Sequence, residues 1–274
     1  MPELPEVETI AADLRPQLSG HRIERVESLF PGMVRHPDAE LFKAGLRERR
    51  IEAISRRGKY LLFHLDSQEL FVVHLGMTGQ LRVTAPDAPL ETHTHLVLRL
   101  DDGRQLRYRD VRRFGRLLFG VEEELLRERR LPRLGPEPID PNFTGDDLYR
   151  KLRGRRAPLK ALLLDQAVVA GVGNIYADES LYRARIRPDR PAGRLSRKSA
   201  RRLREALHDS LQLGIANRGS SVDDYRDGFG ERGRQQEELL VYGRGGQPCP
   251  SCGRPLAVVR LAGRTTVFCR RCQR

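Results

Sequence analysis

The chain has 274 residues, enough to bury a sizeable core and to form two domains, and its 50 Lys and Arg against 37 Asp and Glu leave a formal charge of +13 and a pI near 10.2. That balance selects a polyanionic partner, most simply nucleic acid, over an acidic one. No apolar run reaches the roughly 18 residues of a membrane span, no basic-then-apolar leader opens the chain, and all four cysteines lie in the last 26 positions. A cytoplasmic chain without a distributed disulfide framework is therefore expected. Arginine outnumbers lysine 45 to 5, a ratio that genome base composition also influences, but the cationic excess stands. Internal repeats and low-complexity tracts are absent.

The chain opens Met-Pro-Glu-Leu-Pro-Glu-Val-Glu. If Met1 is trimmed, Pro2 becomes a secondary amine flanked by Glu3, Glu6 and Glu8. With an α-amino pKa near about 7.7–8.0, part of it would be neutral and nucleophilic at neutral pH. Such an amine condenses with an aldehyde carbon to a cationic iminium, an electron sink for eliminations, and carboxylates beside it can move protons. The plainer reading is a helix with Pro5 in its first turn and glutamates favouring its positive end. The two are compatible: Val7, Ile10, Leu14 and Leu18 recur at helical spacing, so a helix starting near Pro5 would aim its N-terminus at Pro2.

From about Arg49 to Gly120 the pattern is β-like. Lys59 to Leu65, Leu70 to Leu75 and Leu96 to Leu100 are apolar runs of strand length, and Asp102-Gly103 is a hairpin turn ahead of Gln105. Strands without intervening helices predict a two-layer sandwich or barrel. Four prolines among residues 131–141 mark a linker. Helical spacing then predicts helices over 148–152, 158–170, 177–184 and 196–217, the last capped by Ser196. Gly171-Val-Gly-Asn-Ile175 is a tight turn able to offer backbone N–H groups and Asn174 to phosphate, although glycine turns commonly just end helices.

Cys249-Pro-Ser-Cys252 and Cys269-Arg-Arg-Cys272 stand 16 residues apart, the spacing of a zinc ribbon. Four thiolates leave no open position for water, so one structural Zn2+ is expected. Residues 256–261 and 265–268 read as strands around a tip at Ala262-Gly-Arg264.

Together these motifs resemble the formamidopyrimidine-DNA glycosylases, repair enzymes that excise oxidised purines and cut the strand. The resemblance runs from the first octapeptide to the last cysteine pair, with the motifs in the family's order. It implies an α+β fold: an N-terminal β-sandwich domain flanked by helices (1–130), a linker (131–145), a helical domain with a helix-two-turn-helix (146–240) and a four-cysteine zinc hairpin (241–274). It implies Pro2 as the nucleophile at C1′, Glu3 as the acid for base loss, Glu6 supporting proton transfers, Lys59 as a proton donor in β-elimination and Arg264 assisting the second elimination.

It further implies that His74-Leu-Gly-Met-Thr-Gly79 and Asp110-Val-Arg-Arg-Phe-Gly115 enter the duplex, with Met77 and Phe114 as wedges in the stack and Arg112 on the orphaned base, favouring cytosine there. Taken singly, each of these residues would pass for ordinary core or surface. His74, His93, Arg156, Asn174 and Tyr242 are implied DNA contacts, and His93-Thr-His95 alternatively reads as a half-built metal pair. The partner is damaged double-stranded DNA, not a membrane, and the protein is expected to be a monomer. One stretch departs from the family: before Val241-Tyr-Gly-Arg244 the loop over the flipped base usually ends in two aromatics, where this chain has Arg234 and Gln235. The rival readings are the sister endonuclease VIII family, against which Leu4 and the Met77, Arg112, Phe114 set argue, and a non-catalytic zinc-ribbon damage binder, against which Pro2, Glu3 and Lys59 argue.

Overall fold

A computed structural model describes residues 1–128 and 130–274. It forms two compact units, residues 1–133 with 217–234, and residues 134–216 with 235–274.

In the first unit, helix α1 (Leu4–Leu18) starts at Glu3, whose exchange with Glu6 is a reciprocal capping box, with Pro5 in the first turn. Val7, Ile10, Leu14 and Leu18 are fully buried, as their spacing requires. Nine strands follow: β1 (Arg22–Leu29), β2 (Val34–His36), β3 (Arg49–Arg57), β4 (Tyr60–Leu65), β5 (Glu69–His74), β6 (Gly79–Thr84), β7 (Thr94–Leu100), β8 (Gln105–Asp110) and β9 (Arg116–Val121), with α2 (Ala39–Leu46) between β2 and β3 and α3 (Glu122–Arg127) after β9. Their order is β2-β9-β5-β4-β3-β1-β7-β8-β6.

At the centre of that order β3 and β1 pair only through Arg22 with Arg50 and Ile23 with Arg49, whereas β5 and β9 stay in register over six residues. The two halves share one core there. Phe63, Phe71 and Phe119 from one half meet Leu81, Leu98, Leu106 and Tyr108 from the other, together with Ile10 and Leu14 of α1 and Phe42 of α2. This is the expected sandwich with flanking helices, each strand placing alternate side chains in the shared layer.

The second unit holds α4 (Gly145–Leu152), α5 (Leu159–Leu164), α6 (Asn174–Arg183), α7 (Arg197–Ala216) and the hairpin β10 (Ala257–Leu261) and β11 (Arg264–Phe268). The helix expected over 158–170 stops at Leu164. The Asp165 carboxylate accepts from Ala167 N–H at 3.0 Å, and Gln166 donates to the carbonyls of Leu164 and Val172 at 3.0 and 2.9 Å, so local side chains turn the backbone out of the helix. Helix α6 begins earlier than expected, at Asn174, with Gly173 as its N-cap. Ser196 caps α7 by accepting from Ser199 N–H at 3.2 Å. Arg264 is the first residue of β11, paired with Leu261, so the hairpin turn is Ala262-Gly263 and Arg264 stands beside the tip, exposed. Among the described residues no helix is long and apolar enough to cross a membrane.

Candidate active site and nucleic-acid interface

Pro2, Glu3 and Glu6 are all buried at the amino end of α1, where the helix dipole favours anionic groups and opposes further positive charge. Glu3 N–H donates to one Glu6 carboxylate oxygen at 2.8 Å, and Ser220 N–H donates to the other at 2.8 Å. The Tyr225 hydroxyl donates to the Glu6 carbonyl at 3.4 Å. One glutamate therefore joins the start of the helix to the 217–234 segment, which lies 214 residues further along the chain. Arg234 N–H donates to the Asn217 carbonyl at 2.8 Å and closes that segment at its base. Arg234 is exposed there, and Gln235 is buried in the second unit.

Lys59 occupies the tight turn between β3 and β4 and is 6% exposed. His74 lies close enough to feel its charge: burial, then Lys59 and Arg116, push the imidazole down to about 4. The ring is neutral at pH 7. It sits on Tyr60 with centroids 4.8 Å apart, and its Nδ1 accepts from Gly76 N–H at 3.2 Å, which leaves the proton on Nε2.

The two loops expected to enter a duplex touch each other. Gly76 has φ +64, and a Cβ there would lie 2.5 Å from the backbone carbon of Phe114. Asp110, fully buried, holds both. Its Oδ1 accepts from the Thr78 hydroxyl and, at 3.2 Å, from Arg112 N–H, while Oδ2 accepts from Gly115 N–H at 2.8 Å. Met77 is half-buried and Phe114 is 50% exposed, with the Arg112 guanidinium 4.8 Å from its ring centroid. An exposed phenyl ring on a rigid loop under a guanidinium is uncommon for a side chain that only fills a core. His93, exposed at φ +66, accepts from Asp110 N–H through its carbonyl. His95 is buried with Nε2 2.9 Å from the Asp110 carbonyl, so the two histidines do not converge on a metal.

In the second unit three side chains grip β11. Asn174 Nδ2 donates to the Thr265 carbonyl at 3.1 Å, Lys160 Nζ to the same carbonyl at 3.1 Å and to the Thr266 hydroxyl at 2.8 Å, and Val267 N–H donates to Asp178 at 3.1 Å. Lys160 and Asp178 pair at 2.7 Å, 0% and 1% exposed. Burial raises the Asp178 carboxyl to about 6 against the pull of Lys160. Glu179 accepts backbone N–H groups of Leu240, Val241 and Tyr242 at 2.9–3.1 Å and so shapes the loop carrying Tyr242. Arg156 is exposed.

Lys160→Met is expected to cost about 3–5 kcal/mol at pH 7, because it leaves a buried carboxylate without its counter-charge. The native carboxyl binds its proton more tightly than the unfolded one, so the penalty is absent below the ordinary carboxylate range and grows as pH rises towards the folded value. The loss should accordingly shrink on acidification. Urea melts at pH 5 and pH 7 check both the size and the sign.

Cys249, Cys252, Cys269 and Cys272 bring their sulfurs within 4.8 Å of one another, with Cys249 to Cys272 at 3.9 Å and Cys252 to Cys269 at 3.5 Å. A tetrahedron of about 2.3 Å Zn–S bonds has edges of about 3.8 Å, so the four thiolates fit one Zn2+. Around them pack Tyr182, Val241, Leu256 and Val267.

Several of these residues escape a reading of the sequence. Asp110 opens a recognised loop and Lys160 lies in the stretch expected to be helical over 158–170, so each carries a weak signal. Asp178 and Glu179 carry none.

Family models match the whole arrangement in order: a formamidopyrimidine-DNA glycosylase N-terminal domain over residues 1–117, a formamidopyrimidine-DNA glycosylase H2TH domain over 134–226, and a zinc finger found in FPG and IleRS over 246–274. The chain is 53% identical over 260 residues to the formamidopyrimidine-DNA glycosylase of Moorella thermoacetica, covering 95% of each, and 49% identical over 277 residues to that of Heliobacterium modesticaldum, covering all of both. Among solved structures, MutM (Fpg) of Thermus thermophilus superposes with a TM-score of 0.89 at 44% identity over 99% of this chain and 98% of that one. Lactococcus lactis Fpg bound to DNA containing an abasic site gives 0.92 at 38% identity over 99% of each. The capped amino terminus, the paired loops and the four-cysteine hairpin thus belong to one enzyme type, and the chain is a member of the formamidopyrimidine-DNA glycosylase family of zinc-finger DNA glycosylases with AP lyase activity.

Proposed function

We propose that this protein excises oxidised purines, 8-oxoguanine and formamidopyrimidines, from duplex DNA opposite cytosine and then cuts the strand by β- and δ-elimination. The observation that carries the reading is Pro2 beside two buried glutamates at a helix N-terminus. Once Met1 is removed, the Pro2 nitrogen adds to C1′ of the flipped nucleotide as the glycosidic bond breaks, and Glu3 delivers a proton to the departing base. Opening of the sugar leaves a cationic iminium. Loss of a C2′ proton expels the 3′ phosphate with Lys59 as proton donor, and loss of a C4′ proton expels the 5′ phosphate with Arg264 assisting. Glu6 moves protons around the iminium.

Met77 and Phe114 fill the space the extruded nucleotide leaves, and Arg112 donates two hydrogen bonds to the orphaned cytosine. His74 through Nε2, together with His93, Arg156, Asn174 and Tyr242, contacts the backbone of the damaged duplex. Complexes of Lactococcus lactis Fpg with abasic-site and N7-benzyl-Fapy-dG DNA support a damaged-DNA ligand for this fold. The zinc, held by the four cysteines, supplies no chemistry and fixes the hairpin from which Arg264 projects.

Borohydride trapping on an 8-oxoguanine:cytosine duplex tests the reading. A covalent adduct mapped to Pro2 of Met-free protein is expected. Absence of an adduct from trimmed, zinc-loaded protein that still binds the duplex would overturn it.

A further inference from the structure

The segment 217–234 is fastened to α1 by an ion network remote from the amino terminus. Arg218 Nη2 donates to both Asp13 oxygens at 2.8 and 2.7 Å, and its Nε donates to Asp227 at 3.0 Å. Asp13 and Asp227 are 5% and 1% exposed, so one guanidinium bridges two buried carboxylates. Asp13 also accepts from Gly228 N–H at 3.0 Å, and Asp227 accepts from the N–H groups of Phe229 and Glu231 at 3.0 and 2.9 Å. Both arms of the loop are thus tied to one point on α1.

The backbone between this point and Glu6 is short and stiff. Arg218 has φ +58, a left-handed conformation that a non-glycine residue keeps only when its surroundings fix it. Gly219, at φ +81, has no room for a side chain: a Cβ would lie 2.9 Å from Glu6 Cγ. Ser220 then donates its N–H to Glu6 Oε1, and the other Glu6 oxygen receives Glu3 N–H. The series Asp13, Arg218, Gly219, Ser220, Glu6, Glu3 runs from the second half of α1 back to its first turn.

We propose that Arg218 is a positioning residue for the reaction: by bridging Asp13 and Asp227 it sets where the Ser220 N–H stands, and thereby the orientation of the Glu6 carboxylate beside Pro2. Without the guanidinium two buried carboxylates face one another, the loop withdraws from α1, and Glu6 loses the Ser220 backbone donor. The inference rests on the proposed role of Glu6 in proton transfer.

The test compares full-length, zinc-loaded Arg218→Met, Arg218→Lys, Asp13→Asn and the double variant Arg218→Met with Asp13→Asn. The readouts are steady-state kinetics on an 8-oxoguanine:cytosine duplex, amide exchange at Ser220 and thermal melting. For Arg218→Met, kcat should fall about 10- to 100-fold, the scale of a displaced catalytic group, with KM for the duplex unchanged within about 2-fold. Ser220 amide exchange should accelerate and Arg218→Lys should recover most of the rate. Asp13→Asn should reproduce part of the loss, and the double variant should be no slower than Arg218→Met alone, because both act through one contact. Unchanged kcat, losses that multiply in the double variant, or a rate loss that follows the folded fraction would overturn the proposal. If Glu6 has no part in proton transfer, Glu6→Gln will retain its rate, which separates failure of that assignment from failure of the Arg218 role. A parent enzyme that forms no borohydride adduct at Pro2 would instead overturn the proposed reaction itself.

Discussion

Protein that retains Met1 is expected to lose strand cutting by on the order of 10³-fold or more, the scale set by removal of a nucleophile, while its affinity for the damaged duplex changes by less than about 3-fold. With Met1 in place the Pro2 nitrogen is a tertiary amide, whose lone pair is delocalised into the carbonyl and cannot add to C1′. The Met1 ammonium does not substitute for it. It lies 3.7 Å from the Asp223 carboxylate and is exposed, whereas Pro2 is buried. The two loops proposed to enter the duplex are held to each other by Asp110 and by the close approach at Gly76, contacts that do not involve Met1. The check is to separate trimmed and untrimmed protein by intact mass and measure borohydride adduct and duplex affinity on each. Equal adduct from both fractions would remove Pro2 from its proposed role. Equal affinity with adduct only from the trimmed fraction is the expected result.

The residues proposed to act on or touch the DNA are far more legible in the sequence than the residues that hold them. Pro2, Glu3 and Glu6 stand within one turn of each other, and the four cysteines are paired at two-residue intervals, so local spacing alone brings each set together. The Met77 and Arg112–Phe114 loops were recognisable as stretches, and β-strand periodicity gave the sandwich. What spacing cannot reveal is a partner hundreds of positions away. Ser220 reaches Glu6 across 214 residues and Arg218 reaches Asp13 across 205. Lys160 reaches Thr266 across 106. Each such pair is a buried charge or a backbone N–H needing satisfaction, and the sequence shows only an Arg among 45, or an Asp inside a helix. The misplaced end of α5 has a different, local origin: Leu-rich spacing continues past Leu164 while the side chains of Asp165 and Gln166 turn the backbone.

These supporting contacts also explain how an arginine-rich chain keeps a precise site. Asp110 serves two loops, Glu179 serves three consecutive amides, and Glu6 serves the helix cap and a distant segment. In each case a carboxylate is spent on backbone N–H groups, which fixes main-chain position irrespective of the surrounding cations. The general positive charge draws in a phosphate backbone, and the buried acids decide what geometry it meets.

Stripping the metal with a strong chelator is expected to dissolve the β10–β11 hairpin and abolish tight duplex binding while leaving the first unit folded. A two-stranded hairpin is marginal in water by itself, and here β10 is partly exposed along its length, with Val258 54% exposed. The packing around the cysteines is small, Tyr182, Val241, Leu256 and Val267, so little apolar burial replaces a structural zinc worth on the order of 10 kcal/mol in zinc-finger peptides. The consequences extend inward. Once β11 frays, Lys160 and Asp178 lose the Thr265 carbonyl, the Thr266 hydroxyl and the Val267 N–H, so a fully buried ion pair is left without its neutral partners. At about 3 °C per kcal/mol, the melting of the second unit should fall by well over about 10 °C. The first unit keeps its own core of Phe63, Phe71, Leu98 and Tyr108 and should melt where it did before. Hydrogen exchange resolved by segment distinguishes the outcomes: rapid exchange confined to residues of the second unit, reversed by added Zn2+, is the expected result. A hairpin that stays protected after the metal is removed would show that the small apolar cluster suffices.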